Sequence, residues 1–277
     1  MGIILDGKDV ANKVCEKLRG RVIELNKQGI DVRFNIYTSP DPASKVYVKN
    51  KLNRAKEIGI NAKAIPVASA EGLYDEVKTK KCPFIVQLPN PNIDNKHIND
   101  VLHMWEELDM DSFSDKAMGR LMKYGLIAKR LPCTPLGILT LLSYYNIPIE
   151  GRHVVILGRS DIVGKPLSLM FTNLNATTTL AHSKTPKMLL SKMLDSAGII
   201  VSAMGNTDVF KDYMAVNADK QVFVDVGMNR DDAGKLCGDA SERFKQEFYA
   251  YTPTPGGTGP MTVAMLMSNV VDYYNNF

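Results

Sequence analysis

The second half of the chain alternates short apolar runs with segments of helix length, and this alternation most constrains the fold. Four runs are rich in β-branched residues: HVVILG (153–158), TTTLAHS (177–183), GIIVSAMG (198–205) and QVFVDVG (221–227). Such runs suit parallel strands that helices cover on both faces. The pattern therefore predicts a doubly wound α/β sheet.

The first half shows a less regular form of the same pattern. Strands are predicted at 32–39, 62–67 and 84–89, with helices at 8–28, 44–58, 71–80, 95–107 and 134–145. The last segment, 260–275, is apolar around much of its circumference and should be buried against the first domain. A chain of 277 residues allows two domains. We expect one domain from 1–142 plus 260–277 and a Rossmann-type domain from 143–259.

Composition excludes several classes of protein. Hydrophobic residues make up 45% and charged residues 23% of the chain, which argues against disorder and fibrous repeats. The net charge of +4 is spread along the chain and fits small anionic ligands at least as well as nucleic acid. Four scattered cysteines and four scattered histidines predict neither disulfides nor a metal site. With no signal segment and no membrane-spanning run, we expect a cytoplasmic protein that binds neither membrane nor nucleic acid.

A candidate phosphate-binding loop follows the run at 153–158. The segment VVILGRSDIVGKPLSLM contains a strand, a loop with Gly158 and Gly164, and a helix that begins near Lys165. Backbone amides at a helix start can face a phosphate. The glycine spacing is not GxGxxG, so the loop alone fits an ordinary βα turn equally well.

The next strand end favours one nicotinamide cofactor over the other. An NAD site places an acidic residue about 20 positions after the glycine loop, where it holds the ribose 2′-hydroxyl. The corresponding segment here is HSKT (182–185), which has no carboxylate. Arg159, Lys184 and Ser183 suit a 2′-phosphate, so NADP is favoured over NAD. The alternative is that Ser183 or Thr185 only caps the following helix.

The helix predicted at 44–58 places a lysine on its inward face. By helical spacing, one side holds Ser44, Tyr47, Val48, Lys51, Ala55 and Ile58. The other side holds Lys45, Lys49, Asn53 and Lys56. Desolvation lowers the pKa of an inward lysine, which allows acid or base catalysis near neutral pH. The alternative is that Lys51 extends to water from the edge of the core.

Other polar groups stand in unusual settings. Gln87 ends an apolar strand, where it either lines a ligand crevice or is a satisfied edge residue. Asp109 and Asp111 flank Met110, and either could be a turn residue or an N-cap. The segment TPTPGGTGPMT (252–262) has a glycine-rich backbone that can approach a flat ligand, or it is a plain connector.

Six motifs occur together and in order along the chain. They are DPASxxYVxxK (41–51), VQLP (86–89), PCTPxG (132–137), GRSxIVGxP (158–166), HSKT (182–185) and PGGxGPMT (255–262). Together they resemble the methylenetetrahydrofolate dehydrogenase/cyclohydrolase (FolD) family over essentially the whole chain. The resemblance implies a folate-binding catalytic domain, an NADP-binding domain and a cleft between them. It further implies a cytoplasmic homodimer that serves one-carbon metabolism and purine biosynthesis without a metal.

The implied reaction has two steps. NADP oxidises 5,10-methylenetetrahydrofolate to 5,10-methenyltetrahydrofolate, which is then hydrolysed to 10-formyltetrahydrofolate in the same cleft. By the resemblance, Lys51 is the key catalytic residue, Tyr47 contacts the folate and Gln87 works with the lysine. Asp111 matches the aspartate that holds the pterin ring. The remaining matches line the folate site (Pro255, Gly256, Gly259) or bind NADP (Gly158, Arg159, Ser160, Ser183).

Some positions depart from the family pattern. Ser39 and Pro40 replace valine and glycine, and Asn90 replaces a leucine. In DMDSFSDKAMGRL (109–121), serine stands for glycine at 112 and for histidine at 114, and alanine for asparagine at 117. We expect these changes, close to Asp111, to alter pterin affinity or the balance of the two activities.

Three alternatives to the bifunctional enzyme stay open. The nearest is a dehydrogenase with weak or absent cyclohydrolase activity. A folate-binding or regulatory protein that has lost catalysis would keep the altered segment but has no need of Lys51. A shikimate-dehydrogenase-like oxidoreductase would need neither the Tyr47–Lys51 pair nor PGGTGPMT.

Overall fold

The structure is a computed structural model that describes residues 2–39 and 42–275, with only the backbone described for 42–44 and 46. Pro40, Asp41 and the side chain of Ser44, which belong to the predicted motif and inward face, lie outside the described residues. Two compact units form. The six-stranded unit comprises Thr134–Thr262 and the chain up to Ala11. The three-stranded unit comprises Asn12–Cys133 and the chain from Val263.

Both units contain parallel strands joined by helices. The strands are β1 (Ile3–Ile4), β2 (Arg33–Thr38), β3 (Asn61–Pro66), β4 (Phe84–Val86), β5 (His153–Leu157), β6 (Thr177–Ala181), β7 (Ile199–Ser202), β8 (Val222–Asp225), β9 (Asn229–Arg230), β10 (Leu236–Cys237) and β11 (Ala250–Tyr251). The helices are α1 (Gly7–Lys27), α2 (Pro42–Ile58), α3 (Ala70–Lys80), α4 (Asn95–Met104), α5 (Asp115–Tyr124), α6 (Cys133–Tyr144), α7 (Gly164–Asn173), α8 (Lys187–Ser196), α9 (Glu242–Lys245) and α10 (Thr258–Tyr274). Short 3₁₀ turns lie at Glu106–Leu108, Gly125–Ile127 and Ala218–Lys220.

The six-stranded unit contains the predicted doubly wound sheet. Its strand order is β1-β11-β8-β7-β5-β6, and every neighbouring pair is parallel. The four apolar runs form β5, β6, β7 and β8, so the α/β prediction is confirmed. Because β6 lies on one side of β5 and β7 on the other, the strand order reverses at β5. Ligands bind at such a reversal, beyond the carboxyl ends of the strands.

The three-stranded unit has a small parallel sheet in the order β3-β2-β4. Its core is formed by buried side chains of β2, β4, α3 and α4, among them Tyr37, Phe84, Val86, Leu73, Val77, Ile98, Val101 and Leu102. Asp109 extends the sheet by a parallel bridge to Phe84. Helix α5 was not predicted; it begins after Ser114, whose side chain accepts a hydrogen bond from the Ala117 N–H.

Helix α2 largely confirms the predicted inward face. Val48, Ala55 and Ile58 are buried, and the four residues predicted to face water are exposed. Gly59, at φ +90°, follows the last turn, as expected for a helix stop. The prediction that Tyr47 faces inward is wrong, because this residue is 44% exposed. Among the described side chains of α2, burial begins at Val48, one residue later.

Helix α10 confirms the expectation of a buried final helix. The side chains buried beyond residue 262 include Ala264, Leu266, Met267, Val270 and Val271. The three-stranded unit is therefore built from two separate stretches of chain. The compact units divide at 11/12, 133/134 and 262/263, whereas the predicted functional domains divide at 142/143 and 259/260. The functional division stays a prediction. Within residues 2–39 and 42–275, no helix is both long and apolar enough to cross a membrane.

Candidate active-site residues

Lys51 and Gln87 form a pair in the three-stranded unit. Helix α2 carries the lysine, and Gln87 follows directly after β4. The Lys51 Nζ donates a hydrogen bond of 2.6 Å to the Gln87 Oε1. The Gln87 Nε2 donates to the Leu88 carbonyl at 2.7 Å, which turns the amide oxygen toward the lysine. Gln87 is buried and Lys51 is half-buried, so the amine is directed inward.

The surroundings of Lys51 change its protonation. Burial lowers the pKa of Lys51 below its ordinary value, while the nearby charge of Asp111 acts in the opposite direction. A lysine that extended to water would keep its amine hydrated. The inward hydrogen bond and the lowered pKa favour instead an acid or base role.

The loop after Leu108 distinguishes the two aspartates. The Asp109 carboxylate is buried and accepts four backbone N–H bonds, from Asp111 (3.0 Å), Ser112 (3.2 Å), Phe113 (2.9 Å) and Ser114 (3.4 Å). Burial, reinforced by the neighbouring Asp111 charge, raises the pKa of Asp109 to about 7. Asp109 is thus the residue that shapes the turn. Asp111 is half-buried, and burial raises its pKa as well, while the charge of Lys51 acts in the opposite direction.

The departures from the family pattern lie in this loop. Ser112 is buried with φ +57°, a left-handed conformation that favours glycine. Ser114 is fully buried and caps α5, with its Oγ 3.1 Å from the Ala117 nitrogen. Ala117 is buried beside it. Serine at 114 therefore has a local structural role that the sequence reasoning did not assign.

Two residues near Asp111, Cys133 and Asn269, were not predicted to belong to the site. Cys133 is buried, and burial together with the Asp111 charge raises its pKa well above the ordinary thiol value. The Asn269 Nδ2, on α10, donates to the carbonyls of Met110 (2.9 Å) and Leu131 (3.1 Å) and lies 3.4 Å from the Cys133 Sγ. A buried amide in an otherwise apolar helix was the available signal for Asn269.

The predicted phosphate loop lies in the six-stranded unit, at the carboxyl end of β5. Gly158 has φ +118°, and a Cβ there would overlap the Ala203 carbonyl at the end of β7. A Cβ on Gly164 would overlap the Gly158 carbonyl. The Ser160 Oγ accepts the Val163 N–H at 3.2 Å, just before α7. Both glycines are thus required by close backbone approach at the reversal of strand order.

Arg159 and Ser183 stand at equivalent places on adjacent strands. Leu157 of β5 pairs with Ala181 of β6, and each candidate lies two residues further along. Both side chains are exposed. Helix α8 begins at Lys187, and its N-cap residue Pro186 leaves it without a side-chain cap. The alternative that Ser183 or Thr185 caps this helix is therefore wrong.

The glycine-rich loop also belongs to the six-stranded unit. Gly256 has φ +114°, and its carbonyl accepts the Lys8 N–H at 2.8 Å. Pro255 and Gly259 are exposed, and a Cβ on Gly259 would meet open space. The structure thus groups Lys51, Gln87 and Asp111 in one unit, and groups Pro255, Gly256, Gly259 and the strand-end candidates in the other.

Comparisons with known proteins agree across the chain. The family description "Tetrahydrofolate dehydrogenase/cyclohydrolase, NAD(P)-binding domain" matches residues 132–277, and the corresponding catalytic domain matches residues 5–109. A bifunctional protein FolD from Streptococcus thermophilus is 38% identical, covering 96% of this chain and 95% of that protein.

Solved structures show the same likeness. The bifunctional FolD enzyme of Campylobacter jejuni has a TM-score of 0.90 at 32% identity, covering 100% of this chain and 99% of that one. The FolD of Trypanosoma brucei, complexed with NADP and an inhibitor, has a TM-score of 0.89 at 28% identity, covering 99% and 98%. On these matches, the chain belongs to the tetrahydrofolate dehydrogenase/cyclohydrolase family.

Proposed function

We propose that the protein is a bifunctional one-carbon folate enzyme. It oxidises 5,10-methylenetetrahydrofolate to 5,10-methenyltetrahydrofolate with NADP and hydrolyses the product to 10-formyltetrahydrofolate. The observation that carries this proposal is the 2.6 Å contact between Lys51 and Gln87 in a chain that matches bifunctional FolD proteins over almost its whole length. The catalytic folate-binding domain is 1–142 plus 260–277 and the NADP-binding domain is 143–259. The loop with Pro255, Gly256 and Gly259, at the end of the second range, also contributes to the folate site.

The strand ends of the six-stranded unit bind the cofactor in this proposal. Bound NADP supplies a nicotinamide that accepts hydride from the folate methylene carbon. Gly158 allows the close approach to Ala203 that shapes the turn between β5 and α7. The pyrophosphate binds at the start of α7, where backbone amides favour an anion. Arg159 and Ser183 hold the 2′-phosphate, assisted by the exposed Lys184. Ser160 shapes the turn before α7 and contributes its exposed backbone to the same site.

The folate is held by residues of different chemistry. Asp111 accepts hydrogen bonds from the pterin ring, and the exposed ring of Tyr47 packs against the substrate. Pro255, Gly256 and Gly259 offer a flat backbone surface, and the open space beside Gly259 keeps it accessible. Alignment of the two ring systems is the main task of these residues during hydride transfer.

Hydrolysis requires proton movement at a fixed place. Water adds to the methenyl carbon and loses a proton. The hydroxyl then loses its remaining proton as the formyl C=O forms, while the bond from that carbon to N5 breaks and the nitrogen gains a proton, so that one proton is released overall. Lys51 exchanges these protons, because its lowered pKa brings both protonation states within reach. Gln87 holds the amine in position through its oriented oxygen.

A dehydrogenase with weak or absent cyclohydrolase activity is the second candidate. The loop that presents Asp111 favours it, because Ser112 holds a left-handed conformation and Ser114 and Ala117 are small buried residues. A shift in this loop would misplace the pterin relative to Lys51. Accumulation of the methenyl product, with decay no faster than without enzyme, would establish this reading.

Turnover of 5,10-methylenetetrahydrofolate with each nicotinamide cofactor tests the proposal. We expect a higher kcat/KM with NADP than with NAD. Loss of a charge-assisted contact in Arg159→Ala should reduce the NADP preference by about tenfold or more. Arg33→Ala is a matched control, because this exposed arginine is paired with Asp31 and lies in the three-stranded unit. Equal efficiency with both cofactors in the wild-type protein would contradict the assignment of Arg159 and Ser183.

Assembly and cellular role belong to the same proposal. We infer a cytoplasmic homodimer whose product serves purine biosynthesis. Light scattering of the purified full chain should give twice the mass of the 30.7 kDa chain. A mass of one chain at the concentrations used for activity would contradict the proposed homodimer but not the proposed enzymatic activity.

A further inference from the structure

A second lysine, Lys245, is fully buried in the six-stranded unit at the end of α9. Its Nζ has three oxygen partners: Asp225 Oδ2 at 3.4 Å, Glu242 Oε1 at 2.5 Å and Thr254 Oγ1 at 3.1 Å. The Thr254 Oγ1 accepts a hydrogen bond from this ammonium group, and the two carboxylates form ion pairs with it. Asp225 and Lys245 both have no exposed side-chain surface. A buried charge of this kind persists only when its partners are fixed.

The acidic partner is itself rigidly held. The Asp225 carboxylate accepts backbone N–H bonds from Gly227 (3.0 Å), Asp239 (3.0 Å) and Ala240 (3.2 Å). A Cβ on Gly238 would overlap this carboxylate. The position of the Asp225 carboxylate, at the end of β8, is therefore fixed by close packing as well as by hydrogen bonds.

Asp225, Lys245 and Glu242 together form hydrogen bonds with the glycine-rich loop at several points. The Thr252 Oγ1 accepts the Asp225 N–H at 2.7 Å, and the Thr258 Oγ1 donates to the Asp225 carbonyl at 3.2 Å. Between them, the Thr254 side chain meets Lys245, and its N–H donates to the Glu242 Oε1 at 3.1 Å. The loop is therefore tied down at its beginning, its middle and its end.

We propose that Lys245 is a positioning residue that sets the backbone of the loop 252–258 through Thr254. This proposal rests on the proposed function, in which Pro255 and Gly256 line the folate site. Lys245 touches neither substrate nor cofactor. It acts by fixing the residue directly before Pro255, so that the loop backbone has one conformation when the folate arrives.

The test compares Thr254→Val with Thr254→Ser in the full-length enzyme. Valine removes the hydroxyl that Lys245 contacts, whereas serine keeps it. We expect Thr254→Val to raise the KM for 5,10-methylenetetrahydrofolate about tenfold, with kcat and the KM for NADP unchanged. Thr254→Ser should remain close to wild type. The inference is overturned if both variants behave alike, or if the two KM values rise together.

Amide hydrogen exchange in the unliganded protein separates this inference from the proposed function. We expect faster exchange of the amides at 256–259 in Thr254→Val and no change in Thr254→Ser. The thermal unfolding midpoint should fall in the valine variant alone, because a buried N–H of Lys245 loses its acceptor. Unchanged exchange in the valine variant would refute the positioning role. If the wild-type enzyme does not turn over methylenetetrahydrofolate, the proposed function fails, and the exchange result still decides the role of Lys245.

Discussion

The protein contains two lysines that face inward beside carboxylates, and their settings differ. Lys51 is half-buried, has Gln87 as its hydrogen-bond partner within the described residues, and is desolvated enough to lower its pKa. Lys245 is fully buried and has three oxygen partners. In our proposal, the same residue type exchanges protons in one unit and is a fixed part of the scaffold in the other.

The difference shows what a catalytic lysine needs. Its charge must be poorly compensated, so that both protonation states are accessible, and its amine must be reachable from a bound ligand. Full compensation removes both conditions. Substitution of the two lysines should therefore have opposite consequences for activity and for stability.

The largest expected effect is on activity. Lys51→Met should abolish the hydrolysis, with a loss of at least about 10²–10⁴-fold in kcat, and should strongly impair the dehydrogenase. The free energy of unfolding should stay near the wild-type value or rise, because methionine removes a desolvated charge. Steady-state rates and thermal unfolding measure the two effects. Hydrolysis at a near-normal rate would remove Lys51 from its assigned role.

Lys245→Met should instead lower the free energy of unfolding. Asp225 would remain as a buried, uncompensated charge, at a cost of about 3–5 kcal/mol in the free energy of unfolding. Chemical denaturation measures this loss, with the exposed Lys220→Met as the control. A stability equal to that of the control would erase the contrast between the two lysines.

A smaller loss of stability is expected at Asn269. The variant Asn269→Leu leaves the buried carbonyls of Met110 and Leu131 without this donor, at a cost of about 1–3 kcal/mol. Because Met110 directly precedes Asp111, the KM for the folate should rise as well. Ser268→Ala, at the neighbouring partly buried position, is the control. A normal KM together with the lost stability would show that Asn269 does not position Asp111.

A gain of stability is expected at Ser112. The variant Ser112→Gly relieves the left-handed conformation at φ +57° and should stabilise the fold by up to about 1 kcal/mol. Ser143→Gly, at an exposed helical position, should destabilise the fold by about the same amount. A loss of stability in Ser112→Gly would mean that the side chain contributes more than its backbone strain.

The smallest expected effect is a change in pH dependence. The negative charge of Asp111 raises the pKa of Lys51, against the stronger lowering caused by burial. Asp111→Asn should therefore lower the pKa of Lys51 further and increase the acetylation rate of its amine at a fixed mildly alkaline pH. Mass spectrometry of the free protein measures this rate. An unchanged or slower rate would show that Asp111 does not act on Lys51.

Periodicity explains what could be predicted. Strands β5 to β8 and the inward position of Lys51 follow from residue spacing, which reports which side of an element is buried. Lys245 could not be found this way, because α9 has only four residues and its partner Asp225 lies on a separate strand. Tyr47 was placed inward although its side chain is exposed. Spacing gives the face of a helix but not how far the core extends along it.

The sequence motifs predicted the family and some residue roles, which periodicity could not predict. Six short patterns in order identified the family, and with it the roles proposed for Gln87 and Asp111. They did not reveal that Asp109 shapes the turn, since four backbone N–H groups converge on its carboxylate only in the folded loop. Side chains that organise other side chains leave little local pattern in a sequence.

The hydrolysis of 5,10-methenyltetrahydrofolate, supplied directly and without NADP, tests the central claim most directly. We expect the wild-type protein to convert 5,10-methenyltetrahydrofolate to 10-formyltetrahydrofolate faster than buffer alone. We expect no such acceleration with Lys51→Met. A wild-type rate equal to the uncatalysed rate would contradict the role given to Lys51 and would leave a dehydrogenase alone.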